Sequence, residues 1–218
     1  MQRLVLVVGT AVVLTRGMVA QAGPAYPLGR KAVCADVAVE VVLNLAKARA
    51  GDTPTGVRSR AMAGARVTAT FYGTPAVDLP RPLELYLPDR TWRQGEKRGH
   101  LRAIVFAGRL TGTPTLLFGV EGAPTDVDPD YPEVRAALLR YAHWRDRPDD
   151  PAVLAEAEKT LATTANRSIA SLAWAFLCSG RHGEAVARAA HVAPPSSPVA
   201  AMAKAGAACR LDLNCSAW

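Results

Sequence analysis

A chain of 218 residues with 26 Lys and Arg against 19 Asp and Glu carries a formal charge of +7, and half of it is hydrophobic. That excess permits contact with anionic surfaces but is too dilute for a dedicated nucleic-acid binder. No stretch after residue 22 is apolar for long enough to span a bilayer, which takes about 20 residues.

The N-terminus reads as a signal peptide. Arg3 supplies the positive charge, Leu4 to Leu14 the apolar run, and Ala20-Gln21-Ala22 the small-x-small pattern that places cleavage after Ala22. A membrane anchor would need a longer run, and Arg16 follows this one. No lipobox precedes Cys34, so no lipid anchor is implied. Residues 1–22 hold two arginines and no acid, so their removal lowers the charge from +7 to +5. The remainder fits one large or two small domains. The Ala-, Arg- and Val-rich composition resembles that of high-GC bacteria, so the expected location is secreted or periplasmic.

The predicted organisation is a signal peptide at 1–22, a linker at 23–32, a β domain at 33–124 and a helical domain at 130–218. In the β part, Val37, Val39, Val41 and Leu43 alternate with Ala38, Glu40, Val42 and Asn44, as in a half-buried strand. Arg66, Thr68, Thr70 and Tyr72 alternate with Val67, Ala69 and Phe71. Predicted strands are Ala35–Lys47, Ala65–Tyr72, Leu83–Leu87, Leu101–Phe106 and Thr115–Val120, separated by Gly- and Pro-rich turns. Short strands at this spacing suggest a small antiparallel barrel or sandwich.

Residues from 130 read as helices. Asp130-Tyr131-Pro132-Glu133 has the form of a capped start, and that helix should reach about Trp144. Asp150-Pro151 begins a second, with Val153, Leu154, Ala157 and Leu161 on one side. Asn166 caps a third that buries Ile169, Leu172, Ala173 and Phe176 and stops at Gly180. A fourth covers Gly183 to His191, and a fifth runs from Ser197-Pro198 to about Cys209. The short loops make these antiparallel neighbours in a hairpin or bundle. The fold class is therefore α+β: a small antiparallel β-barrel followed by a helical domain.

An even number of cysteines in an exported chain favours disulfides. Cys34, Cys178, Cys209 and Cys215 allow three pairings. With no CxxC and no histidine at ligand spacing nearby, zinc is not indicated.

Two resemblances add to this reading. The segment Ala35-Asp36-Val37-Ala38-Val39, then Val67–Gly73 with its Gly-Thr-Pro turn, Leu83–Pro88, Gly95-Glu96 and Leu101–Phe106, resembles the OB-fold barrels related to netrin and tissue-inhibitor-of-metalloproteinase domains of exported proteins. Inhibitors of that class open on a cysteine pair that reaches a protease zinc. Here Cys34 stands without a Cys-x-Cys, so that activity is not implied. Ala173, Phe176, Gly180 and Glu184-Ala185-Val186, followed by Pro194, are similar to one helix-turn-helix unit of a tetratricopeptide repeat. Stacking of that kind would put Cys178 and Cys209 in similar places of successive units. It implies a bridge from Cys178 to Cys209 or Cys215.

Candidate chemistry is sparse. Asp126, Asp128 and Asp130 alternate as calcium ligands can, but Tyr131 and Ala137 stand where an EF-hand needs Gly and Glu. The other reading of the triplet is a polar loop that caps the next helix. Arg90, Arg93, Lys97, Arg98, His100 and Arg102 surround Trp92, a pattern able to hold phosphates, glycans or single strands, or else to form a solvated hairpin. Cys178 and His182 form a thiol pair only if Cys178 is unbridged. Walker, GxGxxG, HExxH and GxSxG patterns are all absent, so no cofactor is indicated. The expectation is an exported, non-catalytic binding or structural protein. Its partner would be another protein or an envelope polymer, not a specific nucleic acid. The alternatives are an exported hydrolase with its site in a cleft between the halves, and a component of an envelope assembly.

Overall fold

The computed structural model describes residues 27–52, 58–74, 84–87, 93, 95–109, 116–119, 124–204 and 209. The signal segment, Arg90, Trp92 and Cys215 lie outside them. The fold is α+β. Five antiparallel strands, β1 (Val37–Asp52), β2 (Arg58–Tyr72), β3 (Glu84–Leu87), β4 (His100–Arg109) and β5 (Leu116–Gly119), form one sheet in the order β3-β2-β1-β4-β5. They lie where the alternation placed them, with β1 and β2 running further than expected. Among the described residues β3 and β5 are the sheet edges, and no pairing joins them.

One face of the sheet carries an apolar cluster of its own. Val37, Val39, Val41 and Leu43 of β1 are fully buried, in one cluster with Leu85 of β3 and with Leu101, Ala103 and Val105 of β4. No helix contributes to that cluster among the described residues, and Val127 of the loop before the helices packs against it. The β1–β2 ladder carries register shifts at Ala38/Val39 and Glu40/Val41. They break the expected alternation of β2. Val67 packs into the helix-free face, whereas Phe71 and Tyr72 both turn to the opposite side.

That opposite side carries the helices α2 (Tyr131–Asp146), α3 (Pro151–Thr163), α4 (Arg167–Ser179), α5 (Gly183–Val192) and α6 (Pro198–Lys204). Ala38, Phe71, Ile104 and Phe106 of the sheet belong to one hydrophobic cluster with Leu138, Tyr141, Trp144, Leu172, Ala173 and Phe176 of the helices. The two halves thus share a core. Trp144 is at its centre, with its ring 5.5 Å from that of Phe176 and Nε1 donating to Glu156 at 3.1 Å.

The predicted linker at 23–32 needs correction. From Pro27 it is helix α1 (Pro27–Cys34), laid against α4. Gly29 allows this close approach. Its N–H donates to Ser171 Oγ at 3.0 Å, and a Cβ there would land on the Ser171 carbonyl. With α1 on one side and α3 on another, α4 is buried from Ile169 to Cys178. A helix apolar all round is a core helix. Carbonyls at and just past the C-terminal end of α1 take side-chain donors. Tyr72 Oη and Arg145 both donate to Ala32 O, Arg145 donates to Ala35 O, and the Arg145 guanidinium lies 4.1 Å over the Tyr72 ring.

Asn166 caps α4 as expected, accepting from the N–H groups of Ser168 and Ile169, and Asp150 caps α3 by accepting from that of Ala152. Asp130 does not cap its own helix; its carboxylate accepts from Asn166 Nδ2 at 3.1 Å. Past Gly180 the left-handed position falls on Arg181, at φ 63°. Cys178 is bridged to Cys209, one of the two pairings implied by the repeat resemblance. Cys34 is also disulfide-bonded.

Candidate functional site

The helices cover only part of their side of the sheet. Ala38 and Glu40 lie beneath them and are buried, but Val42 is half-buried and Asn44 exposed. The register fixes what surrounds this open end. Val42 pairs with Arg102 on β4 and Arg66 on β2, and Asn44 with His100 and Gly64. Val42, Leu43, Asn44, Gly64, Ala65, Arg66, Gly99 and His100 line a groove of about 630 Å³. It is open to solvent along much of its length and is not an enclosed cavity.

The groove is basic. Arg66 and Arg102 are exposed on either side of β1, so their backbones are two strand spacings apart, about 10 Å. Among the described residues, no carboxylate is in salt-bridge contact with either. Lys97 and Arg98 occupy an exposed 3-10 turn, Glu96–Arg98, which ends at Gly99 in a left-handed conformation and delivers the chain into β4. Arg98 is partly neutralised by Asp126, 3.5 Å away. Of the basic cluster read from the sequence, His100 lines the groove and Arg102 pairs with Val42 beside it, while Lys97 and Arg98 lie in the turn that precedes β4. Arg93 is exposed, and Arg90 and Trp92 lie outside the described residues.

The structure does not bring the acidic triplet together. Asp126 Oδ1 accepts from the Arg102 N–H at 3.2 Å and faces Arg98. Asp128 Oδ2 accepts from the Thr125 N–H and Oγ1, each at 2.8 Å. Asp130 holds Asn166. Among the described residues no group of three or more His, Cys, Asp or Glu is placed to hold a metal ion. Cys178, which the thiol-pair reading would need free, is in a disulfide.

Ionisable groups from the sheet and the helices do meet at one point, around Glu40. This carboxylate is 3% exposed. Glu40 Oε1 accepts from Tyr131 Oη at 2.7 Å and from Arg135 Nε at 2.8 Å, and Oε2 from Thr68 Oγ1 at 3.3 Å. Burial alone pushes the carboxyl up. The hydrogen bonds from Arg135 and Tyr131, the Arg135 charge and the Thr68 hydroxyl outweigh it, so the pKa falls below the ordinary 4.5. Burial, followed by the bond to Glu40, raises the Tyr131 phenol well above the usual tyrosine range. The cluster is closed on itself, and Arg135 shows 39% of its side chain at the edge of the open face. Glu40, Arg66, Tyr131 and Arg135 carry no motif. The one available sign was an acid inside an otherwise apolar strand, at Val39-Glu40-Val41.

No family model, no curated protein and no solved structure matches this chain.

Proposed function

We propose that this is an exported, non-catalytic binding protein whose open sheet face holds the anionic groups of its partner. The observation that carries the reading is the row Arg66–Val42–Arg102. It presents two guanidiniums without a carboxylate partner among the described residues, at the mouth of a groove lined by Asn44 and His100. Guanidinium forks suit carboxylate, sulfate and phosphate alike. A barrel of the OB type is supported by the strand order, since β3-β2-β1-β4-β5 is that barrel opened between its third and fifth strands. Burial of the helix-free face supports it too.

Replacing both arginines, Arg66→Glu with Arg102→Glu, should weaken binding to dextran sulfate about tenfold or more, measured by titration at low salt. Two charge-assisted contacts at an exposed site are worth at least that, about 1.4 kcal/mol. Circular dichroism should be unchanged, because neither side chain is in the core. Equal affinity in the folded double variant would refute the reading. Export is supported by the N-terminal apolar run and the disulfides. Mass spectrometry of secreted protein should find Gly23 at the N-terminus, and an intact Met1 would count against it.

A further inference from the structure

We infer that Arg135 is the third cation of this site, and that the group bound there is a phosphomonoester dianion carried by the partner. This rests on the anion-binding reading above and adds the residue and the chemistry that select among anions.

Arg66, Arg102 and Arg135 meet on one face of the sheet. Glu40 and Val42 are two residues apart on β1 and so share a face. Arg66 and Arg102 stand opposite Val42 on the flanking strands. Thr68, two residues from Arg66 on β2, donates to Glu40 Oε2, which puts Arg66 on that same face. Arg135 comes from α2 and donates through Nε to Glu40 Oε1 at 2.8 Å. The carboxylate that holds it is therefore one row from Arg66–Val42–Arg102, about 7 Å along the strand.

The three arginines differ in freedom. Arg66 and Arg102 are exposed and can adapt to what arrives. Arg135 is set in place. Its Nε is committed to Glu40, and its guanidinium carbon lies 6.0 Å from the centre of the Phe71 ring. Its Nη groups make no hydrogen bond among the described residues, and part of the side chain is open to solvent. A fork held in advance loses less freedom on binding an oxyanion. Glu40, itself held by Tyr131, is thereby a positioning residue.

Charge and shape select the ligand. Arg98 and Asp126 offset each other, and Glu40 offsets one of the other three arginines, which leaves a net of two positive charges. A phosphomonoester carries about −1.5 to −2 at pH 7 and matches that balance. A carboxylate, a sulfate ester or a phosphodiester brings a single charge. Guanidiniums from β2, β4 and α2 can each take a different oxygen of a tetrahedral group, whereas a planar carboxylate has two oxygens to share. Asn44 and His100, in the next row out, offer donors and acceptors to the rest of the ester.

The test follows displacement of labelled dextran sulfate from the secreted chain by phenyl phosphate, phenyl sulfate and benzoate at equal ionic strength. Phenyl phosphate should act at a concentration about fivefold below that of benzoate, with phenyl sulfate between them. Arg135→Lys keeps the charge and loses the fork, so that ratio should shrink to about twofold. Tyr131→Phe disturbs the same buried cluster but keeps the fork, and should retain the native ratio. If Arg135 served the fold alone, its replacement by Lys would weaken all three probes alike. That outcome, or benzoate displacing as well as phenyl phosphate from the native chain, would overturn the inference. The ranking on the native chain decides the matter even where Arg135→Lys does not fold. Should Arg66→Glu with Arg102→Glu release dextran sulfate while the ranking is flat, this inference falls and the anion site stands. If that double variant changes nothing, the underlying reading falls with it.

Discussion

Replacement of Cys178 and Cys209 by alanine should lower the unfolding free energy by about 3–4 kcal/mol. The bridge closes a separation of 31 residues. In the chain-entropy account, a loop of that length removes about 3.7 kcal/mol of freedom from the unfolded state. The native contacts point the same way. Cys178 sits at the buried end of α4, and α5 and α6 both lie between the two cysteines. Ala185, Val186 and Ala189 of α5 and Val199 of α6 add little apolar area to the shared cluster. The bridge therefore holds these two helices to α4 where their own packing is thin. Guanidinium titration of the double variant, with the Cys34 disulfide left intact, measures the effect. A loss under 1 kcal/mol would show that α5 and α6 dock without the tether.

Glu40→Ala should cost about 3 kcal/mol. Breaking a buried ion pair by removing one partner costs about 3–5 kcal/mol, because the other charge stays behind. Here the lower end applies, since Arg135 is 39% exposed and water can take back part of its charge. The Tyr131 hydroxyl has no such recourse and loses its acceptor in a buried site. The pH dependence has a definite sign. The folded pKa of Glu40 is depressed, so its contribution is fully present above the ordinary value of 4.5 and is lost as pH falls through the folded value. Glu40→Gln lacks that titration. The gap in melting temperature between the native chain and Glu40→Gln should narrow on acidification below pH 4.5. A gap constant from pH 7 to pH 3 would mean that the carboxylate charge contributes nothing.

The strands and the five later helices were legible because each has a period, and several have a cap, in the chain itself. Val37, Val39, Val41 and Leu43 mark a strand in any setting, and Asn166 caps wherever a helix follows it. What the sequence hid depends on long-range packing. Helix α1 has eight residues, Pro27–Cys34, with a glycine inside it, and is a helix because α4 receives it. Alternation in β2 failed at Phe71 because bulges in the ladder shifted it by one face. The basic cluster was visible from Arg90 to Arg102, but Arg66 joins it only through the β1 register. Glu40, Tyr131 and Arg135 are 91 and 95 residues apart in sequence, and no local pattern links them. Asp130 was read as a cap because its spacing fits, yet Asn166 competes for its carboxylate and wins.

The seating of α1 on α4 has a consequence for how the molecule is made. In chain order α1 and β1 come first, while the surface of α4 that receives α1 follows 142 residues after Gly29, at Ser171. Until α2 and α4 are available, Ala38, Ile104 and Phe106 have no helix layer to lie under. Acquisition of the native state therefore waits on the later half of the chain, and the early strands must be kept from pairing with other chains in the meantime.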